Sequence, residues 1–279
     1  MRKTFLFIAL AFITNFCFSQ TLGIAVYQYD DNPRIKNLES LANYLQQQLR
    51  ITASVRSYPT VHALIKGMQN NEVDLAFIST FGYLLLQAGE SKHPMTSVAA
   101  LIAPNAEDNY KTAIVSNRND SLLTLKDLKT HGASSHIAFV AKGSTSGNLV
   151  PRLLLNRTDI KDAEKHFASV QYAGTHARAI ELLLSDSVDV AAMGSTEWDK
   201  LDSIKKAKLS LLHLSSEIPL GPVLLNKEID NKLKKQMIQA LQDFMKQINQ
   251  PWKPLRQRGV KLNKLLISLP LPLTIIFLF

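Results

Sequence analysis

Apolar and polar positions follow two rhythms along this chain. Short segments of strand length recur: Leu22 to Val26, Thr52 to Arg56, Val73 to Ile78, Ser97 to Ala103 and Thr112 to Ser116. Ile137 to Val140, Val170 to Tyr172, Val188 to Met193 and Leu209 to Leu214 continue the series. Between them apolar residues fall three and four apart, as Leu38, Leu41, Leu45 and Leu49 do, and predict amphipathic helices. Further helices are predicted over Val61 to Gln69, Gly82 to Ala88, Leu149 to Leu155, His176 to Leu184 and Lys232 to Ile248. Strands alternating with helices predict α/β units with mostly parallel sheets.

Two stretches repeat one another faintly. His62-Ala63 leads through a helix to Val73-Asp74-Leu75-Ala76 and then Ser79-Thr80. His176-Ala177 leads through a helix to Val188-Asp189-Val190-Ala191 and then Ser195-Thr196. Two similar α/β lobes would produce this echo, and so would chance likeness between two strand–helix units.

The two ends differ from the body. Arg2 and Lys3 precede the apolar run Phe5 to Ile13, and the small residues Cys17 and Ser19 stand before Gln20. That order predicts a signal peptide over residues 1–19, too short for a membrane span. Thr14-Asn15-Phe16 is a poor context for lipidation of Cys17, so no lipid anchor is expected. Cys17 is the single cysteine, so a chain cut there has no disulfide, thiol nucleophile or thiolate metal site. Loss of Arg2 and Lys3 lowers the formal charge from +9 to +7, which suits an anionic ligand or only a solvated lysine-rich surface. Aromatics do not interleave with the basic clusters, which argues against nucleic acid. At the other end, residues 261–279 form a tail whose last part, from Leu265, is nearly all apolar and interrupted by Pro270 and Pro272. It is too short and proline-broken for an ordinary spanning helix.

Hydroxyl residues recur where a strand gives way to a helix. Ser79-Thr80, Ser144-Thr145-Ser146, Thr175 and Ser195-Thr196 all follow predicted strands. Helix starts carry unpaired N–H groups and partial positive charge, so such hydroxyls either cap the helix or help hold an anion. Gly143-Ser144-Thr145-Ser146-Gly147 is the richest case, with three hydroxyls between two glycines. A nucleophile elbow needs serine at its centre, and Thr145 stands there. A phosphate-binding loop of the nucleotide type needs Gly-Lys-Ser/Thr, and this loop has no such lysine. An enzyme is therefore not expected. His176 opens its helix without a second histidine or carboxylate at metal spacing, so neither metal nor other cofactor is implied.

Ser144-Thr145-Ser146-Gly147 with Pro151-Arg152, Tyr172-Ala173-Gly174-Thr175-His176, and Val188-Asp189-Val190-Ala191-Ala192 together resemble the phosphonate/phosphite/phosphate-binding proteins of ABC importers. Val73 to Phe77 with Tyr83, and Leu101 to Pro104 with Tyr110, look like that family's first-lobe signatures. The resemblance runs from about Leu22 to about Phe244. It implies a type II periplasmic binding protein fold: two α/β lobes joined by two crossover strands, with ligand in the cleft. Lobe 1 would hold residues 20–112 and 217–260, and lobe 2 residues 113–216. It implies an exported, periplasmic, monomeric protein that passes a phosphorus oxyanion to an ABC permease. Ser144, Thr145, Ser146 and His176 would bind the oxyanion from lobe 2, with Tyr58, Tyr110 and Thr80 completing the site. Buried tyrosines also serve plain core packing. An alternative is the same fold as the extracellular sensing domain of a membrane receptor.

One departure bears on specificity. Relatives that take an aminoalkylphosphonate are expected to place carboxylates around its amine. The position after Ile218-Pro219-Leu220 is Gly221, and the other candidate lies near Thr196 and Glu197. A buried ammonium without a carboxylate is costly, so an oxyanion without an amine is expected.

Overall fold

The computed structural model describes residues 21–28, 34–89, 92–102, 111–118, 122–248 and 274–277. The first sheet is built from β1 (Thr21–Tyr27), β2 (Thr52–Tyr58), β3 (Leu75–Phe77) and β4 (Met95–Ile102), with β10 (Pro222–Asn226) and β11 (Thr274–Phe277). The second holds β5 (Thr112–Asn117), β6 (His136–Phe139), β7 (Ser169–Tyr172), β8 (Val190–Gly194) and β9 (Leu209–Leu214). Around them lie α1 (Arg34–Leu49), α2 (Val61–Gln69), α3 (Thr80–Ala88), α4 (Asp127–His131), α5 (Val150–Arg157) and α6 (Ala163–His166). α7 (His176–Leu184), α8 (Ser195–Asp199), α9 (Ser203–Ala207) and α10 (Asn231–Ile248) complete the helices.

The strand orders are β11-β4-β10-β3-β1-β2 and β9-β5-β8-β6-β7. Apart from β11, each position of one sheet has its counterpart in the other. The shared wiring extends to single atoms. In β1–β3, the Asp74 N–H bonds Gly23 O at 2.9 Å while Asp74 Oδ2 accepts from the Gly23 N–H at 2.7 Å. In β6–β8, Asp189 repeats both bonds with His136 at 2.9 and 2.7 Å. The Asn226 and Asn117 N–H groups close the motif on the carbonyls of Asp74 and Asp189. The faint sequence echo is thus a real structural repeat, but its register shifts by one residue. Aligning Asp74 with Asp189 sets Ser79 against Gly194, and aligning the helix caps Thr60 and Thr175 sets Val61 against His176.

β5 and β10 are exchanged. Each follows four strands of its own half-chain, yet each pairs antiparallel inside the other half's sheet. The two passages between sheets meet where the Thr112 N–H donates to Ser215 Oγ at 2.8 Å and the Ser215 N–H to Thr112 O at 2.9 Å.

Strand alternation explains the layers. Ile24 and Val26 pack on one face of the first sheet with Leu41, Leu45, Met237 and Leu241, while Ala25 and Tyr27 face Leu64, Met68 and Leu86. Ile137 and Phe139 likewise face Leu128 and Leu155, and Ala138 and Val140 face Ala179 and Leu183. Helices therefore cover both faces of each sheet, which is why the central strands read as continuous apolar runs.

β10 escaped the sequence reading because Pro222 opens it, and proline is tolerated only as such a first or edge residue. The tail beyond Leu265 was given no strand, whereas Thr274–Phe277 adds antiparallel to β4. The predicted signal peptide lies outside the described residues. No helix among the described residues is long and apolar enough to cross a membrane.

Candidate oxyanion site between the lobes

β6 ends at Phe139, and the chain enters a tight turn before α5. The Val140 N–H bonds Gly147 O at 2.8 Å, and Ser144 Oγ accepts from the Gly147 N–H at 3.0 Å. The Leu149 N–H reaches back five residues to Ser144 O at 3.0 Å. This wide turn over Thr145–Leu149 is a π-type widening, a feature frequent at functional sites. It buries Ser144, Thr145, Ser146 and Asn148, each at most 6 % exposed. Burying three hydroxyls at a helix start has a desolvation cost, so each needs a partner. Ser144 Oγ caps the turn and Thr145 Oγ1 accepts from the Phe81 N–H, while the Thr112 hydroxyl donates to the backbone carbonyl of Ser146 at 2.8 Å.

The opposite lobe meets this turn directly. β3 leads to the start of α3, where Ser79 Oγ accepts from the Gly82 N–H at 3.1 Å. Its hydroxyl donates across the gap to Gly143 O at 3.2 Å. The Phe81 N–H, one of the helix's otherwise unpaired donors, reaches Thr145 Oγ1 at 3.1 Å. A methyl group placed on Gly143 would lie 2.3 Å from Val61 Cγ1, so only glycine lets the lobes approach this closely. Two helix starts with their partial positive charges therefore converge on one buried cluster of hydroxyls.

His176 opens α7 behind the cap Thr175, whose Oγ1 accepts from the Arg178 N–H at 3.0 Å. His176 Nδ1 accepts from the Gly194 N–H at 2.9 Å. A neutral ring so bonded carries its proton on Nε2, which makes Nε2 a donor. β8 touches both α7 and the Thr145–Leu149 turn, bringing His176 to the same end of the sheet as the hydroxyls.

The remaining expected residues fare differently. The Thr80 hydroxyl is turned to Pro219 O, so Ser79 and the Phe81 N–H face the turn in its place. Tyr58 does not close the site. It is buried against Gly67 of α2, and its hydroxyl donates to Glu72 Oε2 at 3.2 Å. Tyr110 lies outside the described residues. Ser79 was within reach of sequence reasoning, because Ser79-Thr80 offered two hydroxyls and the cap position favours the first. Val61 and the Phe81 N–H carried no sequence signal, since an apolar residue and a backbone group look alike everywhere.

Gly221 supplies no carboxylate, and Glu197 is already paired with a lysine. A Cβ on Gly221 would lie 1.7 Å from the Ile78 carbonyl oxygen, beside the β3–β10 pairing of the first sheet, so no side chain fits there without a backbone shift. Glu197 is bonded to Lys200 Nζ at 2.7 Å. Among the described residues no group of three His, Cys, Asp or Glu side chains is arranged to hold a metal.

Residues 24–261 match a family model described as "ABC transporter, phosphonate, periplasmic substrate-binding protein". Among solved structures, PhnD1 from Prochlorococcus marinus in complex with methylphosphonate is similar with a TM-score of 0.63 and 19% identity, over 81% of this chain and 85% of that one. A binding-protein component of an ABC phosphonate transporter from Pseudomonas aeruginosa gives a TM-score of 0.64 and 19% identity, over 81% and 73%. A Xanthomonas citri protein bound to ATP gives 0.66 and 17%, over 82% and 84%. At these identities the solved structures establish the fold, that of type II periplasmic binding proteins. The family match goes further: the chain belongs to the phosphonate-type periplasmic substrate-binding proteins of ABC transporters, a family of transport proteins rather than enzymes.

Proposed function

We propose that this protein captures a small phosphorus oxyanion without an amine — phosphonate, phosphite or phosphate — between its lobes and hands it to an ABC permease. The observation that carries this reading is the meeting of two helix starts over buried hydroxyls, with the Phe81 N–H bonded to Thr145 Oγ1. A tetrahedral anion would accept from the donors of both lobes at once, from the Ser144, Thr145 and Ser146 hydroxyls, His176 Nε2 and the Phe81 N–H. Such an anion must first part the direct bonds between lobes. Entry therefore needs opening, and the anion's own contacts replace those bonds on closure. Tyr110 is kept as a lid tyrosine on the strength of the resemblance alone. Residues 1–19 are proposed to be removed on export without lipidation at Cys17, so that intact mass of the exported protein should correspond to a start at Gln20.

The test is thermal unfolding and calorimetric titration against methylphosphonate, phosphite, phosphate, 2-aminoethylphosphonate and sulfate. A ligand that binds only the folded state raises the melting temperature. Stabilisation by at least one of the first three is expected, with 2-aminoethylphosphonate weaker. No shift with any phosphorus oxyanion would refute the function, and preference for 2-aminoethylphosphonate would refute the specificity.

A further inference from the structure

Behind the hydroxyl turn lies a chain of polar groups that the oxyanion itself would not touch. Asn148 is 5 % exposed, and its Nδ2 donates to Lys142 O at 2.9 Å. Its Oδ1 accepts from Arg152 Nε at 2.8 Å. With a carbonyl on one side and a guanidinium on the other, only this amide orientation satisfies both neighbours. The Arg152 fork then grips the Glu164 carboxylate with both terminal nitrogens and donates to the Tyr172 hydroxyl at 3.1 Å. The guanidinium also lies over the Phe139 ring, 4.5 Å from its centroid. Arg152 is thus fixed on three sides, by a carboxylate, a phenol and an aromatic face. Its bond to Glu164 holds that carboxyl below the ordinary glutamate range.

We propose that Arg152 is a positioning residue for the oxyanion turn: anchored by Glu164 and Tyr172, it orients Asn148, which pins the Lys142 carbonyl and so sets Gly143 and the three hydroxyls after it. The link to the other lobe is short. Lys142 is followed by Gly143, whose carbonyl accepts the Ser79 hydroxyl. A surface carboxylate in lobe 2 is in this way joined to the contact between lobes. A lysine at position 152 would keep the charge but not the geometry, because a single nitrogen cannot stand in for an Nε that faces Asn148 and terminal nitrogens that face both Glu164 oxygens and Tyr172. The effect on ligand affinity rests on the function proposed above; the effect on the turn does not.

The two are read separately in full-length mature protein. Hydrogen exchange without ligand follows the Ser144, Gly147 and Leu149 amides, and calorimetry with methylphosphonate follows affinity. The variants are Arg152→Gln, Arg152→Lys, Asn148→Ala and the Arg152→Gln/Asn148→Ala pair. Arg152→Gln should speed exchange at those amides and weaken methylphosphonate, each by about tenfold. Lysine should not restore either, and the double variant should be no worse than the poorer single one, because both act through one chain of bonds. Unchanged turn exchange in Arg152→Gln overturns the positioning role. So does full recovery with lysine, which would make charge alone sufficient. Faster exchange with unaltered affinity overturns the link from turn to ligand. Wild-type protein that ignores methylphosphonate, phosphite and phosphate overturns the function instead, and the exchange result still decides the role of Arg152 in the turn.

Discussion

At the first helical residue after the parallel edge strand of each sheet, β2 in one and β7 in the other, lobe 1 carries Val61 and lobe 2 carries His176. Both follow a threonine cap whose Oγ1 accepts from an N–H three residues on. His176 bonds the N–H of Gly194, which ends β8, and Val61 packs with Ile78, just past the end of β3. The frame is the same and the chemistry is not. Lobe 1 presents an apolar knob that fits against Gly143, with Ser79 supplying the polar reach. Lobe 2 presents an imidazole braced by the Gly194 N–H, and places its hydroxyls on the preceding turn. A duplicated scaffold can thus divide labour: one half shapes and indexes closure, and the other supplies most of the side-chain donors.

The largest expected effect comes from blocking the knob. Gly143→Val should hold the lobes apart and weaken methylphosphonate by up to roughly a hundredfold, the scale of overpacking a tight contact. Val61→Ala in the same chain should recover part of the loss in titration. No loss in Gly143→Val would remove Val61 from the account of closure.

Next comes making lobe 2 resemble lobe 1. His176→Val deletes the Nε2 donor and leaves the Gly194 N–H without its acceptor. Affinity should fall by roughly 1.5–3 kcal/mol, as for a hydrogen bond to a charged group. Ser146→Ala should weaken binding on the same scale. Affinities unchanged in both variants would dissolve the proposed site.

The two caps sharpen the contrast further. Thr60→Ala and Thr175→Ala should each lower stability by about 1 kcal/mol in denaturant unfolding. Thr175→Ala should weaken methylphosphonate as well, because it loosens the turn of helix carrying His176, whereas Thr60→Ala should leave binding nearer to wild type. Equal effects on binding would mean that the lobes are not specialised as described.

The smallest effect concerns the paired aspartates. Burial raises the Asp74 carboxyl above its ordinary range, against the opposing bond from the Gly23 N–H. A group whose folded pKa is raised adds stability below its unfolded pKa and loses it as pH rises through the folded value. Ionised Asp74 is therefore a burden at neutral pH. Asp74→Asn keeps an acceptor for Gly23 and should raise the melting temperature at pH 7, with the gain fading below the carboxylate range. A gain that persisted undiminished at acid pH would exclude ionisation as its cause.

Much of this arrangement could be read from the residues alone. The helices Val61–Gln69 and His176–Leu184 were legible to their ends, because threonine caps and three-to-four spacing agree there. The Gly143–Gly147 turn announced itself by composition. The exchange of β5 and β10 left no periodic trace, since its pairing partners are distant in sequence, and was expected only through the two crossover strands that the family resemblance implies. Tyr58 misled for a physical reason: a tyrosine at a strand end can turn towards the cleft or against the helix that follows, and only Gly67 and Glu72 decide which. Thr80 was displaced by its neighbour because cap geometry gives Ser79, rather than Thr80, the view across the gap.

The reciprocal exchange of strands also sets a timetable for the growing chain. Every strand of the second sheet lies between residues 112 and 214, whereas the first sheet receives its inner strand β10 only at residues 222–226. Until then β3 and β4 each keep an unpaired edge, a template for wrong pairing. Lobe 2 can therefore reach its native pairing first, while the lobe begun earliest is finished last. That delay leaves the first sheet incomplete until residue 226 has been made, long after the second could have closed.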